Sequence, residues 1–192
     1  MADTFHHGHF SLQPIFDYVS EVPRLPERDR SDQSVYGKYQ FVAKSLITDV
    51  PNLPGWYLWA KPRDSKPEVY VGKSEEGLFN RFINRFNQEY TVFWEAVHGP
   101  HPLIDDAYRM FPQSEYRKQI ERYRCKAIAT HVIWVAKEGV EADECEQVER
   151  ELIQIFKTDP CNKVRGKPDG RYRETAIVVA DIFQPTIAQL AK

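Results

Sequence analysis

The stretch 70-YVGKSEEGLFNRF-82 sets a tyrosine, a lysine and an arginine around a glycine-containing turn. Tyr57 lies in the apolar run before it, 55-GWYLWA-60, and Glu149 lies far downstream in 143-DECEQVERELIQIF-156. Two phenols, two cations and one carboxylate form a working set for cutting a phosphodiester. The carboxylate can hold a divalent cation, an arginine can stabilise charge on the phosphate, and a phenol can orient or deprotonate water. Each residue also has a plainer use. Tyrosines in strands commonly serve packing, and surface lysines and arginines are commonly just solvated.

Glu149 is the sharpest of these signals. At about 100° per residue, Cys145, Val148, Leu152, Ile155 and Phe156 gather on one face of a helix, with Ile153 at its edge. Glu149 projects inside that apolar stripe, while Glu144, Glu146 and Glu151 fall at its margins or outside it. A carboxylate aimed at a core must be paired, protonated or bound to a metal, because an isolated buried charge is costly. A structural salt bridge is the alternative to a functional site.

The surrounding pattern says which elements position these groups. Leu12, Ile15, Phe16 and Val19 have helical spacing, so 11–20 reads as a short helix. The three histidines of MADTFHHGHF read as a loose polar terminus. The charged 21–34 segment reads as a loop and 35–50 as a second helix. GWYLWA (55–60) and EVYVG (68–72) read as a hairpin, and HVIWVA (131–136) as a third strand. Leu78, Phe79, Phe82, Ile83 and Phe86 begin an amphipathic helix. Within the less regular 87–128, VFWEAV (92–97) is compatible with a helix, GPHPL (99–103) breaks it and 114–128 reads as a helix rich in Arg, Lys and Tyr; residues from 163 onward form a basic tail with an apolar run at 176–183. The expected fold is α+β: a small three-stranded antiparallel sheet flanked by helices, with an N-terminal helical extension (1–50) and a helical insert (about 87–128). The central domain spans 51–165, and 166–192 is a C-terminal tail of one compact unit.

Composition bounds the partners. With 192 residues and a net charge of −2, the chain is not globally basic, so an anionic partner would be held by a local patch. Cys125, Cys145 and Cys161 are odd in number and fit no zinc spacing, so reduced thiols and a cytoplasmic location are expected. No run is apolar enough to span a membrane.

The run 55-GWY-57, then 69-VYVG-72, then Leu78 and Arg81, resembles the GIY-YIG nuclease family. The segment 149-ERELIQIFKTDPCN-162 resembles the rest of that signature, a helical glutamate followed by Pro-x-Asn. YVGKS…L..R is similar to the nuclease module of a bacterial excision-repair protein. The resemblance covers roughly 53–86 and 130–163. It implies Mg2+-dependent cleavage of DNA, with Mn2+ as a substitute. By position it implies that Tyr57 is the general base or water-positioner, and that Tyr70 touches the nucleophile or phosphate. Gly72 lets the backbone turn closely, and Lys73 and Arg81 contact the phosphate. Glu149 is the metal ligand and Asn162 supports the site. The departures are Trp56 where Ile or Val is usual, a slightly long loop between Tyr57 and Tyr70, one extra residue between Gly72 and Arg81, and Arg85 where several relatives place a histidine.

Basic residues offer a binding surface. Arg85, Arg117, Lys118, Arg122, Arg124, Lys163 and Arg165 are expected to contact DNA, several of them interleaved with tyrosines. The alternative for 105–128 is a solvated amphipathic helix. A self-contained chain with recognition built into an insert and two extensions matches the arrangement of the family's restriction enzymes. The expectation is therefore sequence-specific cleavage of double-stranded DNA, with a homodimer or two successive nicks producing symmetric cuts. The rivals are a repair, single-strand or RNA-directed nuclease of this family, or a non-catalytic nucleic-acid-binding module with this fold.

Overall fold

The computed structural model describes residues 4–22, 33–62, 67–98, 129–158 and 167–191. The strands are β1 (Phe5–Ser11), β2 (Gly55–Lys61), β3 (Glu68–Ser74) and β4 (His131–Lys137). The helices among the described residues are α1 (Gln13–Ser20), α2 (Gln33–Ser45), α3 (Leu78–His98), α4 (Ala142–Phe156) and α5 (Arg173–Leu190). The strands form one sheet in the order β1-β4-β2-β3, and every neighbouring pair is antiparallel.

The sheet is buried on both faces, which explains why β2 reads as an unbroken apolar run rather than an alternation. Tyr57 and Trp59 point to one face, where they join Phe82, Phe86 and Phe93 of α3, Trp134 of β4, and residues of α1 and α2. Trp56 and Leu58 point to the other face, where Val71, Ile133 and Val135 meet Val148 and Leu152 of α4 and Phe183 of α5. Period-two alternation sends neighbouring aromatic side chains into two separate cores.

Three features correct the reading from sequence. First, the expected sheet of three strands has a fourth. FHHGHFS pairs along its whole length with β4, from Phe5 opposite Lys137 to Ser11 opposite His131. His6, His7 and His9 are exposed, as on an edge strand. The two phenylalanines hold the strand down. Phe10 packs edge-on against Phe82 at 5.6 Å between ring centroids, and Phe5 joins the opposite core. Second, α3 runs unbroken through 87–98, because Phe82, Phe86, Tyr90 and Phe93 continue one buried stripe. Third, much of the C-terminal tail is the 18-residue helix α5. Ala176, Val179, Ala180, Phe183 and Ile187 form its buried stripe, and Pro185 inside the helix sits on the exposed side.

Among the described residues, no helix is long and apolar enough to cross a membrane.

Candidate active site

The site forms where β3, the first turn of α3 and the middle of α4 meet. Tyr57 faces Gly72 across the hairpin, and Trp59 faces Tyr70. Tyr57, Tyr70 and Gly72 therefore share the α3 side of the sheet. Lys73 is the register partner of Trp56 and lies on the α4 side.

Gly72 is needed for a reason other than a turn. A Cβ at this position would lie 2.3 Å from Tyr57 Cζ and 2.6 Å from its Oη. The phenol lies flat across the bare backbone of the neighbouring strand. The Tyr57 ring is 1% exposed and packs edge-on against Phe82 at 5.2 Å.

The turn 74–77 aims α3 at this phenol. Ser74 Oγ donates to the Gly77 carbonyl at 2.8 Å and accepts from the Gly77 amide at 3.2 Å. Gly77 has φ +134°, and a Cβ there would strike Asn52 Oδ1 at 2.1 Å. That same Asn52 oxygen accepts from the Asn80 amide at 3.3 Å, serving an N-terminal amide of α3 from another segment. The Leu78 amide donates to the Leu53 carbonyl at 2.9 Å. One turn into the helix, Arg81 reaches back, and its Nε donates to Tyr57 Oη at 3.3 Å. Burial works to lower the Arg81 pKa, but Tyr57, Tyr70 and Glu149 outweigh it and hold it above its ordinary value.

Tyr70 is the more exposed of the two phenols. Burial, helped by Tyr57 and the Glu149 carboxylate, raises its pKa well above the ordinary phenol value, against the opposing charges of Arg85 and Arg81. Tyr70 therefore keeps its proton at neutral pH. Arg85, half-buried one turn beyond Arg81, contributes its charge beside this phenol.

Glu149 comes from α4. It is half-buried and has no ion pair or hydrogen bond among the described residues. Burial raises its pKa to about 7, opposed by Lys73 and Arg81 and reinforced by Glu146. Lys73 is not free: it pairs with Glu75, and its Nζ lies 3.9 Å from Glu146. Burial works to lower the Lys73 pKa, and the hydrogen bond and charge of Glu75 outweigh it.

The buried face of α4 is broader than its apolar stripe. Glu144 and Glu151 are buried rather than marginal, and Ile155 is exposed. Glu144 is paired with Lys137 at 2.8 Å, and Glu151 lies 3.8 Å from Arg173. Glu149 differs from them not by being alone inside but by being left unpaired. Three elements went unread in the sequence: Asn52 as the partner of the α3 N-terminus, Glu75 and Glu146 as the partners of Lys73, and the Trp56 indole on α4. None of these carried a local signal: Asn52 is a capping residue type, but it stands 28 positions before the Asn80 amide it serves.

Tyr57, Tyr70, Arg81, Arg85, Lys73 and Glu149 are brought together by this arrangement. Asn162, Arg117, Lys118, Arg122, Arg124, Lys163 and Arg165 lie outside the described residues. Among the described residues there is no group of three or more His, Cys, Asp or Glu placed to hold a metal ion. One unpaired carboxylate suits a hard cation that keeps most of its water and shares a phosphate with the protein, as Mg2+ does. It does not suit zinc. Burial pushes Cys145, the thiol among the described residues, up to about 12, so it stays protonated.

Comparison of the chain with protein-family models, with curated proteins and with solved structures returned no match.

Proposed function

We propose that this chain is a metal-dependent endonuclease that hydrolyses DNA phosphodiester bonds, acting on specific sequences in double-stranded DNA in the manner of a restriction enzyme. The observation that carries the reading is the Glu149 carboxylate, which has no ion pair or hydrogen bond among the described residues and lies within electrostatic reach of Arg81, Lys73 and the Tyr70 phenol. Arg81 and Arg85 beside the Tyr70 phenol bring positive charge that suits an anionic substrate. The GIY-YIG resemblance points to the same residues.

In this reading Glu149 would hold Mg2+, with Mn2+ as a substitute; the cation supplies charge neutralisation at the phosphoryl group and the leaving oxygen. Arg81 binds a phosphoryl oxygen, and its hydrogen bond to Tyr57 fixes its direction before substrate arrives. Lys73 exchanges Glu75 and Glu146 for the phosphate. Tyr70, kept neutral, donates a hydrogen bond that orients the attacking water or the phosphate. Arg85 adds charge for the DNA backbone next to Tyr70. Asn162 supports the site by the resemblance alone. Arg117, Lys118, Arg122, Arg124, Lys163 and Arg165 supply phosphate contacts that hold the duplex in register. Two copies, or two successive nicks, cut both strands.

The test is incubation with long double-stranded DNA of known sequence, in Mg2+ and in EDTA. Discrete Mg2+-dependent fragments support the whole reading. A smear keeps the nuclease and removes sequence specificity. DNA binding without any cleavage across many sequences would replace the enzyme with a binding module.

A further inference from the structure

Trp56 stands where the family resemblance leads one to expect Ile or Val, and the difference is more than volume. Its indole Nε1 donates to the carbonyl of Cys145 at 2.9 Å. In an α-helix the carbonyl of residue i also accepts the amide of residue i+4. The acceptor that Trp56 binds is therefore the backbone partner of Glu149. The same turn of α4 is fastened a second way. Cys145 Sγ donates to the Ser74 carbonyl at 3.5 Å and lies 3.8 Å from the Gly55 carbonyl. Trp56 is also the register partner of Lys73. One fully buried side chain thus touches the helix that carries the carboxylate and the strand that carries the lysine.

A second tryptophan on β2 supplies the contrast. Trp59 is equally buried, but its Nε1 has no hydrogen-bond partner among the described residues. The core tolerates an unsatisfied indole at 59 and uses the indole at 56.

We infer that Trp56 is a positioning residue: its indole N–H sets the docking of α4 on the sheet and thereby the place of the Glu149 carboxylate relative to Arg81 and Lys73. The inference rests on the proposed role of Glu149 as the cation ligand. Groups that orient a metal ligand from behind typically change metal affinity by about 10–100-fold when removed. A ring without the N–H keeps the packing but frees α4 to shift by a fraction of an ångström.

The experiment compares wild type with Trp56→Phe, Trp59→Phe and Glu149→Ala. It also includes a protein carrying β-(3-benzothienyl)alanine at 56, which keeps the indole shape and lacks only the N–H. Two quantities are read on plasmid DNA: the Mg2+ concentration for half-maximal cleavage, and the rate at saturating Mg2+. Bound Mn2+ is counted separately by electron paramagnetic resonance on the protein–DNA mixture, with Glu149→Ala as the zero. The expected result for both position-56 variants is a half-saturating Mg2+ raised roughly tenfold or more. Mn2+ binding weakens in parallel, and the rate at saturating Mg2+ changes by only about threefold. Trp59→Phe loses comparable packing and leaves the Mg2+ dependence unchanged. The benzothienyl protein decides the matter if Trp56→Phe does not fold. An unchanged half-saturation in that protein would overturn the inference and leave the nuclease reading standing. If Glu149→Ala cleaves like wild type, the nuclease site assignment falls, and this inference with it.

Discussion

Replacing Glu149 by glutamine should make the metal-free protein more stable at neutral pH, although it removes the residue assigned the central role. Burial raises this carboxyl from its ordinary 4.5 to about 7 in the folded state, and neither Lys73 nor Arg81 comes close enough to reverse that. The folded protein therefore holds the proton more tightly than the unfolded chain does. The stabilisation that comes with the protonated form is fully present below pH 4.5 and is lost as pH rises through about 7. At about 1.4 kcal/mol for each tenfold difference in proton affinity, the loss is about 3 kcal/mol once both states are ionised. Glutamine has nearly the same shape and no charge to desolvate. The stability of Glu149→Gln relative to wild type should then grow by about 2–3 kcal/mol between about pH 5 and about pH 8.5. Urea unfolding in EDTA at the two pH values measures it, because the midpoint moves with stability while the slope holds. A difference that stays flat with pH would refute the reasoning. So would a glutamine variant that is the less stable protein at the higher pH by more than at the lower. Either result would mean that the carboxylate is already satisfied and is not held in reserve for a cation.

Three further outcomes follow from the geometry. Gly72→Ala drives a methyl into the Tyr57 ring, which has nowhere to go; urea unfolding should show a loss of about 1–3 kcal/mol, and cleavage should fall by about a hundredfold. Tyr57→Phe removes the acceptor of Arg81 Nε; the unfolding midpoint should report a change within about 1 kcal/mol, while single-turnover cleavage falls much further than DNA affinity in a filter-binding assay. Glu144→Ala removes the carboxylate that pairs with the buried Lys137 ammonium; it should cost about 1–3 kcal/mol in denaturant unfolding and leave the Mg2+ dependence of cleavage unchanged.

The central hairpin, β4, α4 and the start of α3 were legible because each carries its own periodic apolar pattern between clear breaks. The inward place of Glu149 followed from the helical repeat, and that Tyr57 and Tyr70 share one face of the sheet followed only on the condition that their strands pair, as they do. What escaped was decided by tertiary partners. β1 is histidine-rich, and only two phenylalanines mark it; an edge strand paired on one side needs little more. The stripe of α5 was present in the sequence as the apolar run 176–183, and the helix carries Pro185 on its exposed face. The wheel of α4 treated one face as buried. The helix is instead wedged between the sheet and α5, so Glu144 and Glu151 are also inside, each beside a cation on another element. The link from Trp56 to Cys145 joins residues 89 positions apart and has no local signature.

The most direct test of the account is single-turnover cleavage of duplex DNA by Glu149→Gln beside wild type, at saturating Mg2+, with DNA affinity measured on the same preparations. The account predicts cleavage lost by at least about a hundredfold, with affinity for DNA essentially unchanged in a protein that is folded and at least as stable as wild type. A glutamine variant that cuts DNA at the wild-type rate would contradict it.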